Sequence, residues 1–437
     1  MSRYPVKPAA APAPSPPGLA ARRAALRLLD SVMRRGDPLE QALHAATQGL
    51  PDRADRALAH AIAADVLRHM ADLDALIDGV TAQPLPDDAK ARMVLRIALV
   101  QLLILGTPPH AAIATALPLV DGGPRRLVHG ILGTLIRSEA KLPEVPSLPG
   151  EVAVRWEAQW GSEVVEAAAR ALASRAPIDL TLADPAQTDL WVGELGGVSL
   201  APGHVRVGHN VSITDLPGFA DGAWWVQDLA ASLPARIAGA GAGVSGGRHA
   251  IDLCAAPGGK TMQLAAQGWH VTALDKSAKR LERMTQNLER SGLAAQVIVA
   301  DALQWTPDSP VDLVLLDAPC SASGIFRRHP DVLHRVGARQ IAEMAELQTR
   351  LLDHVADWLA PGGVLIYATC SLERAEGEDQ IAAFLARHST YAQVSPETNV
   401  LPDGIVPGET GSLRTLPGLL ASAGGIDGFF ISKLIRN

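Results

Sequence analysis

The sequence predicts a multidomain chain: an all-α front domain, a small α+β linker domain, and an α/β domain on an open, mostly parallel sheet. Three observations carry this. From residue 19 to about 141, apolar side chains recur at helical spacing and no strand-like alternation intervenes. The stretch "KLPEVPSLPG" (141–150), with three prolines in ten residues, reads as a linker. From 249 onward short apolar runs alternate with amphipathic ones, as in a parallel sheet with helices on both faces.

In chain order, residues 1–18 are rich in Pro and Ala and lack the apolar core of a signal peptide. They are expected to form a disordered leader. The front domain is placed at 19–141. Leu28, Leu29, Val32 and Met33 mark one helical stripe, and Leu58, Ile62, Val66 and Met70 another. "TPPHAAIATALPLV" opens with prolines that suit a helix start. The most apolar run, "MVLRIALVQLLILG" (93–106), is short for a bilayer and is broken by Arg96 and Gln101, so a buried helix is expected. The linker domain, 151–237, opens on a helical stretch and then shows two short strands, "DLTLADPA" and "HVRVGHNVSI". The α/β domain is placed at 238–437, after the Gly-rich "AGAGAGVSGG" (238–247). Its strands are "HAIDLCA", "HVTALD", "AQVIVAD", "VDLVLLDAP" and "GGVLIYATC", with helices at Lys276–Ser291 and Ala342–Leu359 between them.

Charge and cysteine content bound the function. Three well-separated cysteines with no C-x-x-C pair make neither a disulfide framework nor a structural zinc site. No metal, no membrane partner and a reducing, cytoplasmic location are expected, and the chain is taken as a monomer. The net charge is −7, which does not by itself advertise a nucleic acid. The distribution is uneven, however. The first 150 residues carry 17 Lys and Arg against 14 Asp and Glu, the remainder 22 against 32, so the front domain is the more cationic half.

The chemistry-bearing residues gather where each strand ends. "DLCAAPGGKT" (252–261) follows the first strand; Asp275 and Asp301 end the second and third; "DAPCSASG" (317–324) ends the fourth; "TCS" (369–371) ends the fifth. All three cysteines sit there, at the edge where such sheets bind ligands. "CAAPGGKT" lacks the first glycine of a phosphate loop, because Cys254 stands in its place. What remains, Cys254, Ala255, Ala256, Pro257, Gly258 and Gly259, is a tight small-residue loop opening a helix, fit to receive an anionic group such as a ligand carboxylate. Asp275, 23 residues after Asp252, suits a ribose diol, or alternatively a helix N-cap. Asp301 is then placed to accept from an adenine amino group. Lys260 is a catalytic candidate, near this site and able to lower a cysteine pKa, or else an ordinary solvated lysine at a helix start. Arg327, Arg328 and Arg335, with Arg339 beyond, follow the fourth strand's loop and are the best phosphate-contact candidates, or else a surface ion-pair cluster.

Taken together, "DLCAAPGGKT", "DAPCSASG", "RRHPD" and "ATCS" resemble the cytosine-C5 RNA methyltransferases, best the RsmB (Fmu/Sun) family acting on 16S ribosomal RNA. "WWVQDLAASLPAR" (224–236) and "DGFFISKL" (427–434) resemble that family's flanking segments, and "RIALVQLL…TPPHAAI" resembles the NusB antitermination fold, an RNA-binding extension. The resemblance implies a NusB-like front domain and a Rossmann-like, class I methyltransferase domain. It also implies S-adenosylmethionine as cofactor and 16S ribosomal RNA as partner. Transfer RNA as substrate, or a non-catalytic RNA-binding factor, are the alternatives. By the same resemblance Cys370 is the nucleophile, Cys320 the product-release residue and Asp317 the group at cytosine N3. Asp317, Asp275, Asp301, Lys260 and the 254–259 loop then hold the cofactor. The DNA enzymes instead attack from the cysteine that Cys320 matches, but Ser321 follows it here where they usually have Gln. After "TCS" the family commonly reads Pro-Glu-Glu-Asn-Glu; this chain has "RAEGE", with Gly377 in the asparagine's place.

Overall fold

The computed structural model describes residues 16–241 and 248–437. The leader, apart from Pro16–Gly18, and most of the Gly-rich stretch lie outside them. The chain forms two compact units, 1–147 and 148–437, and the boundary falls inside the proline-rich stretch.

The first unit is helical throughout: α1 (Leu19–Asp30), α2 (Leu39–Ala46), α3 (Arg53–Arg68), α4 (Met70–Asp78), α5 (Lys90–Leu103), α6 (Pro109–Ala116) and α7 (Gly123–Arg137). Helix α5 is its axle: every residue from Ala91 to Gln101 is buried. That explains a run apolar on all sides rather than along one stripe. The two arginines within it are neutralised by α4. Arg96 binds Asp74 through both Nε and Nη2 (2.8 and 2.7 Å), and Arg92 reaches Asp78 at 2.6 Å. Buried cations paired in this way can sit in a core where single ones cannot. The prolines do start a helix, with Pro108 as cap and Pro109 at its first position. None of the described helices is long and apolar enough to cross a membrane.

The second unit opens with α8 (Gly150–Trp160) and α9 (Ser162–Ala173). A three-stranded antiparallel sheet follows, made of β1 (Ile178–Leu182), β2 (His204–Val207) and β3 (Trp224–Val226) in the order β2-β1-β3, with α10 (Thr188–Leu195) between β1 and β2. The main body then runs α11 (Leu229–Ala238), β4 (His249–Leu253), α12 (Gly259–Ala266), β5 (His270–Asp275), α13 (Ala278–Ser291), β6 (Gln296–Val299) and β7 (Val311–Asp317). It continues with α14 (Val332–Arg335), α15 (Ala338–Val355), β8 (Leu359–Thr369), α16 (Glu378–Arg387), β9 (Tyr391–Val394), β10 (Leu413–Thr415) and β11 (Phe429–Arg436).

The strand order is β10-β11-β8-β7-β4-β5-β6, with β9 also paired to β11. Strands β4 to β8 are mutually parallel, while β11 runs antiparallel to β8. Both faces of the central strands are covered, which is why they read as unbroken apolar runs. Val314 and Leu316 join the core beneath α15 and α16, and Leu313 and Leu315 join the one beneath α11 and α12. The last helix before β8 is shorter than its apolar stripe: it ends at Val355, and Leu359 begins the strand. Leu359 is buried in either element, so periodicity alone extends the helix too far. Chain order reverses between β4 and β7, the switch point at which such sheets bind ligands.

Candidate functional site

The loop between β4 and α12 is set by backbone constraints. Cys254 takes a left-handed φ of 59°, and Gly258 one of 102°. A Cβ on Gly258 would run into Met284 Cγ, so only glycine lets α13 approach this turn. Asp275, at the end of β5, is buried and braces the loop. Its Oδ2 accepts from the Ala256 amide (3.2 Å) and its Oδ1 from the Ser277 amide (2.9 Å), and Arg280 lies 3.4 Å away. The N-cap of α13 is Ser277, not Asp275. Asp301 lies beyond β6, is exposed, and accepts from Leu303 N at 3.0 Å. The Cys254 thiol is pushed up to about 12, first by burial and then by the charges of Asp317, Asp275 and Asp252. It is no thiolate at neutral pH.

Lys260, in the first turn of α12, is buried rather than solvated, and its Nζ donates to Asp317 Oδ2 at 2.7 Å. Burial opposes its charge, but the Asp317 carboxylate outweighs burial and raises its pKa. The pair borders a cavity of about 310 Å³ that is also lined by Trp225, Gln227, Pro257 and Arg290. A larger cavity, about 460 Å³, lies in the helical unit between Arg27, Met33 and Lys90; no cysteine lines it.

Parallel pairing of β7 with β8 sets Asp317 opposite Ala368, so the loops that follow emerge side by side. This brings Cys320 and Cys370 together, with their sulfurs 3.5 Å apart. The Cys320 thiol is raised well above its ordinary value, first by its hydrogen bond with Cys370 and then by burial. Two features that the sequence reading did not reach hold these loops. Glu376, fully buried, accepts from Ser321 N (2.8 Å), from Gln348 Nε2 (3.2 Å) and from the Ser321 and Ser371 hydroxyls. Arg414 donates to the Ser371 carbonyl and grips Glu378 with Nε and Nη2 (3.1 and 2.6 Å). Behind them α8 supports the same segment. Trp156 stacks near Phe326 (5.4 Å), and its indole N–H, with Arg155 and Gln159, donates to the buried Glu373.

The basic run corrects an expectation. Arg327 is buried; it binds Asp427 at 3.0 Å and the Gly424 carbonyl at 2.8 Å. Arg328 binds Asp228 (2.7 Å), Asp427 (3.1 Å) and the Pro177 carbonyl. Arg335 pairs with Asp331 at 2.9 Å and is mostly covered. The Arg327 and Arg328 guanidinium groups join the loop after β7 to the Asp427 segment and the small sheet, and with Arg335 paired locally the three do not form an open phosphate-binding face. Arg339 alone of the four projects into solvent, with its side chain 92% exposed.

Comparison with known proteins agrees with this architecture. Residues 244–435 match the family model "16S rRNA methyltransferase RsmB/F", and residues 19–137 match "NusB family". Ribosomal RNA small subunit methyltransferase B of Xylella fastidiosa is 37% identical, covering 96% of this chain and 99% of its own. The protein of that name from Klebsiella pneumoniae is 34% identical over 95% and 98%. Among solved structures, that of PH0851 superimposes with a TM-score of 0.72 at 24% identity, covering 96% of this chain and 99% of its own. A methyltransferase homolog protein from Pyrococcus horikoshii gives 0.53 at 26% identity, covering 65% and 94%.

Proposed function

The chain belongs to the ribosomal RNA small subunit methyltransferase B family, and from that premise we propose that it methylates carbon 5 of a cytosine in 16S ribosomal RNA, using S-adenosylmethionine. The observation that carries the chemistry is the sulfur pair, 3.5 Å apart at the ends of neighbouring parallel strands, beside the Lys260–Asp317 ion pair. When bound, S-adenosylmethionine supplies an electrophilic methyl group. The residues present fit it: the 254–259 turn offers backbone at a helix start, and Asp275 and Asp301 stand at the next two strand ends.

Carbon 5 of cytosine is a weak nucleophile. Cys370, as thiolate, adds its sulfur to carbon 6, and carbon 5 becomes enamine-like. The electron pair pushed toward N3 is met by a proton, relayed through Asp317 from the Lys260 ammonium that donates to it, and the proton returns as the C6–Sγ bond breaks. After methyl transfer, carbon 5 loses its proton to a base and the C6–Sγ bond breaks, returning Cys370. Cys320, adjacent to that sulfur, is assigned to this release. The target base must be out of its stack for these groups to reach it. The helical unit serves as the RNA-binding extension.

The test separates the two cysteines. Cys370→Ala is expected to abolish methylation. Cys320→Ala is expected to accumulate RNA covalently bound to Cys370, seen as a denaturant-resistant band. Normal methylation by Cys370→Ala, or no adduct from Cys320→Ala under turnover conditions, would refute the assignment. Bisulfite mapping of ribosomal and transfer RNA from cells with and without the gene identifies the substrate: a lost mark in transfer RNA only would exclude 16S RNA.

A further inference from the structure

Resting on that reading, we propose that Glu376 is a positioning residue that fixes the separation of Cys320 and Cys370. Its place in the fold is particular. Glu376 ends a single helical turn, Arg374–Glu376, just downstream of Cys370, and its side chain is fully buried. The donors it collects come from three directions. Ser321, the residue after Cys320, gives its amide and its hydroxyl. Ser371, the residue after Cys370, gives its hydroxyl. Gln348, on α15, donates from its side-chain NH2 to Glu376 and also to the Pro319 carbonyl of the Cys320 loop (2.8 Å).

One carboxylate therefore joins the residue following each sulfur. It is itself anchored, because the Glu376 carbonyl accepts from the Tyr367 hydroxyl (2.8 Å) and from Thr369 Oγ1 (3.2 Å), both on the strand that delivers Cys370. Strand pairing does not do this work alone. The β7–β8 ladder ends at Asp317 and Ala368, three residues short of Cys320. Beyond that point the loops are joined directly by Gly324 N to the Cys370 carbonyl (3.0 Å), Leu372 N to Ser323 Oγ (3.0 Å) and Ser321 Oγ to Ser371 Oγ (3.1 Å), and Glu376 ties both serines to the strand that delivers Cys370. An ionised carboxylate suits the task because it only accepts, and all four groups aimed at it are donors. Burial works against that ionised form and on balance raises the Glu376 pKa, while the Ser321, Ser371 and Gln348 donors hold part of that rise back. The same negative charge contributes to the raised pKa of Cys320, so it helps keep that sulfur a thiol while Cys370 attacks.

The experiment reads the sulfur separation directly, without relying on methylation. The full-length protein is treated with diamide. Two S–H bonds break, one Sγ–Sγ bond forms, and diamide takes up both hydrogens and both electrons as its hydrazine. The linked Cys320 and Cys370 peptides are then quantified by mass spectrometry. Wild type is expected to cross-link readily. Glu376→Ala is expected to cross-link roughly tenfold more slowly and to lose on the order of 100-fold in kcat, with little change in KM for S-adenosylmethionine, as expected for misplacement near 1 Å. Glu376→Gln keeps one acceptor for the Ser321 amide but turns an N–H₂ toward the serines; it is expected to fall between the two and decides the case if the alanine variant does not fold. A folded Glu376→Ala or Glu376→Gln protein that cross-links at the wild-type rate overturns the proposal. If cross-linking responds as expected but the wild type methylates no RNA, positioning stands and the proposed function falls.

Discussion

Replacing Gly377 with alanine probes how this chain does without the family's asparagine. A Cβ at 377 would lie 2.5 Å from Arg414 Nη2 and 2.8 Å from Phe430 Cγ. Phe430 is fully buried on β11 and cannot yield. Arg414 is held by Glu378 and the Ser371 carbonyl, with the Phe430 and Trp160 rings 4.9 and 5.1 Å from its guanidinium carbon. The guanidinium thus occupies the space that a larger residue at 377 would need. Overpacking of this kind costs about 1–3 kcal/mol. For a unit of this size that lowers the melting temperature by roughly 2–4 °C per kcal/mol. Asparagine is expected to cost at least as much as alanine. All 8 tryptophans lie beyond residue 148, so their fluorescence during denaturation reports the second unit alone. The decisive measurement is a double-mutant cycle with Arg414→Ala. Removing the guanidinium relieves the 2.5 Å contact while the Phe430 contacts stay, so the combined cost should fall short of the sum by about 0.5–1 kcal/mol and the part owed to Phe430 should persist. A Gly377→Ala protein within about 0.5 kcal/mol of wild type, or strictly additive costs, would refute the reasoning.

Two further outcomes follow from buried charge. Asp252 is pushed up to about 7 by burial, with the Thr261 hydroxyl opposing, against about 3.9 in the unfolded chain. The folded protein then binds this proton more tightly, so the group's stabilising contribution is complete below pH about 4 and is lost as pH rises through about 7. Asp252→Asn should flatten the stability difference between pH 5 and pH 8 in tryptophan-monitored denaturation; an unchanged difference would count against the shift. Arg327→Ala removes the 3.0 Å partner of the buried Asp427 and leaves it to Arg328 at 3.1 Å, which should cost about 1–3 kcal/mol of stability. Its RNA affinity should keep the wild-type salt dependence; a shallower slope would restore the phosphate contact that the structure removes.

What was legible in the sequence depends on how far apart in the chain the interacting groups lie. Parallel strands deliver their carboxyl ends to one edge, so a list of strand-terminal residues already names most of the candidate residues: the 254–259 loop, Asp275, Asp301, Asp317, Cys320 and Cys370. The sulfur pair is 50 residues apart in sequence, yet readable, because adjacent strands carry the two cysteines. Arg327 and Arg328 are the opposite case. Adjacent cations after a loop look like a surface feature, and their partner Asp427 stands about 100 residues away with no local signature. Glu376 is harder still. Its neighbours in sequence, "RAEGE", depart from the family, while its meaning comes from Ser321 and Gln348, 55 and 28 residues upstream. Gly377 shows why such a departure cannot be scored position by position. Arg414 comes from β10, far along the chain, and places its guanidinium where a side chain at 377 would go. The space beside Gly377 and the guanidinium of Arg414 are therefore one feature in three dimensions and two unrelated positions in the sequence. A residue's loss at an active site is informative only when its former space has been examined, because a side chain from a distant strand can fill that space and secure the same loop.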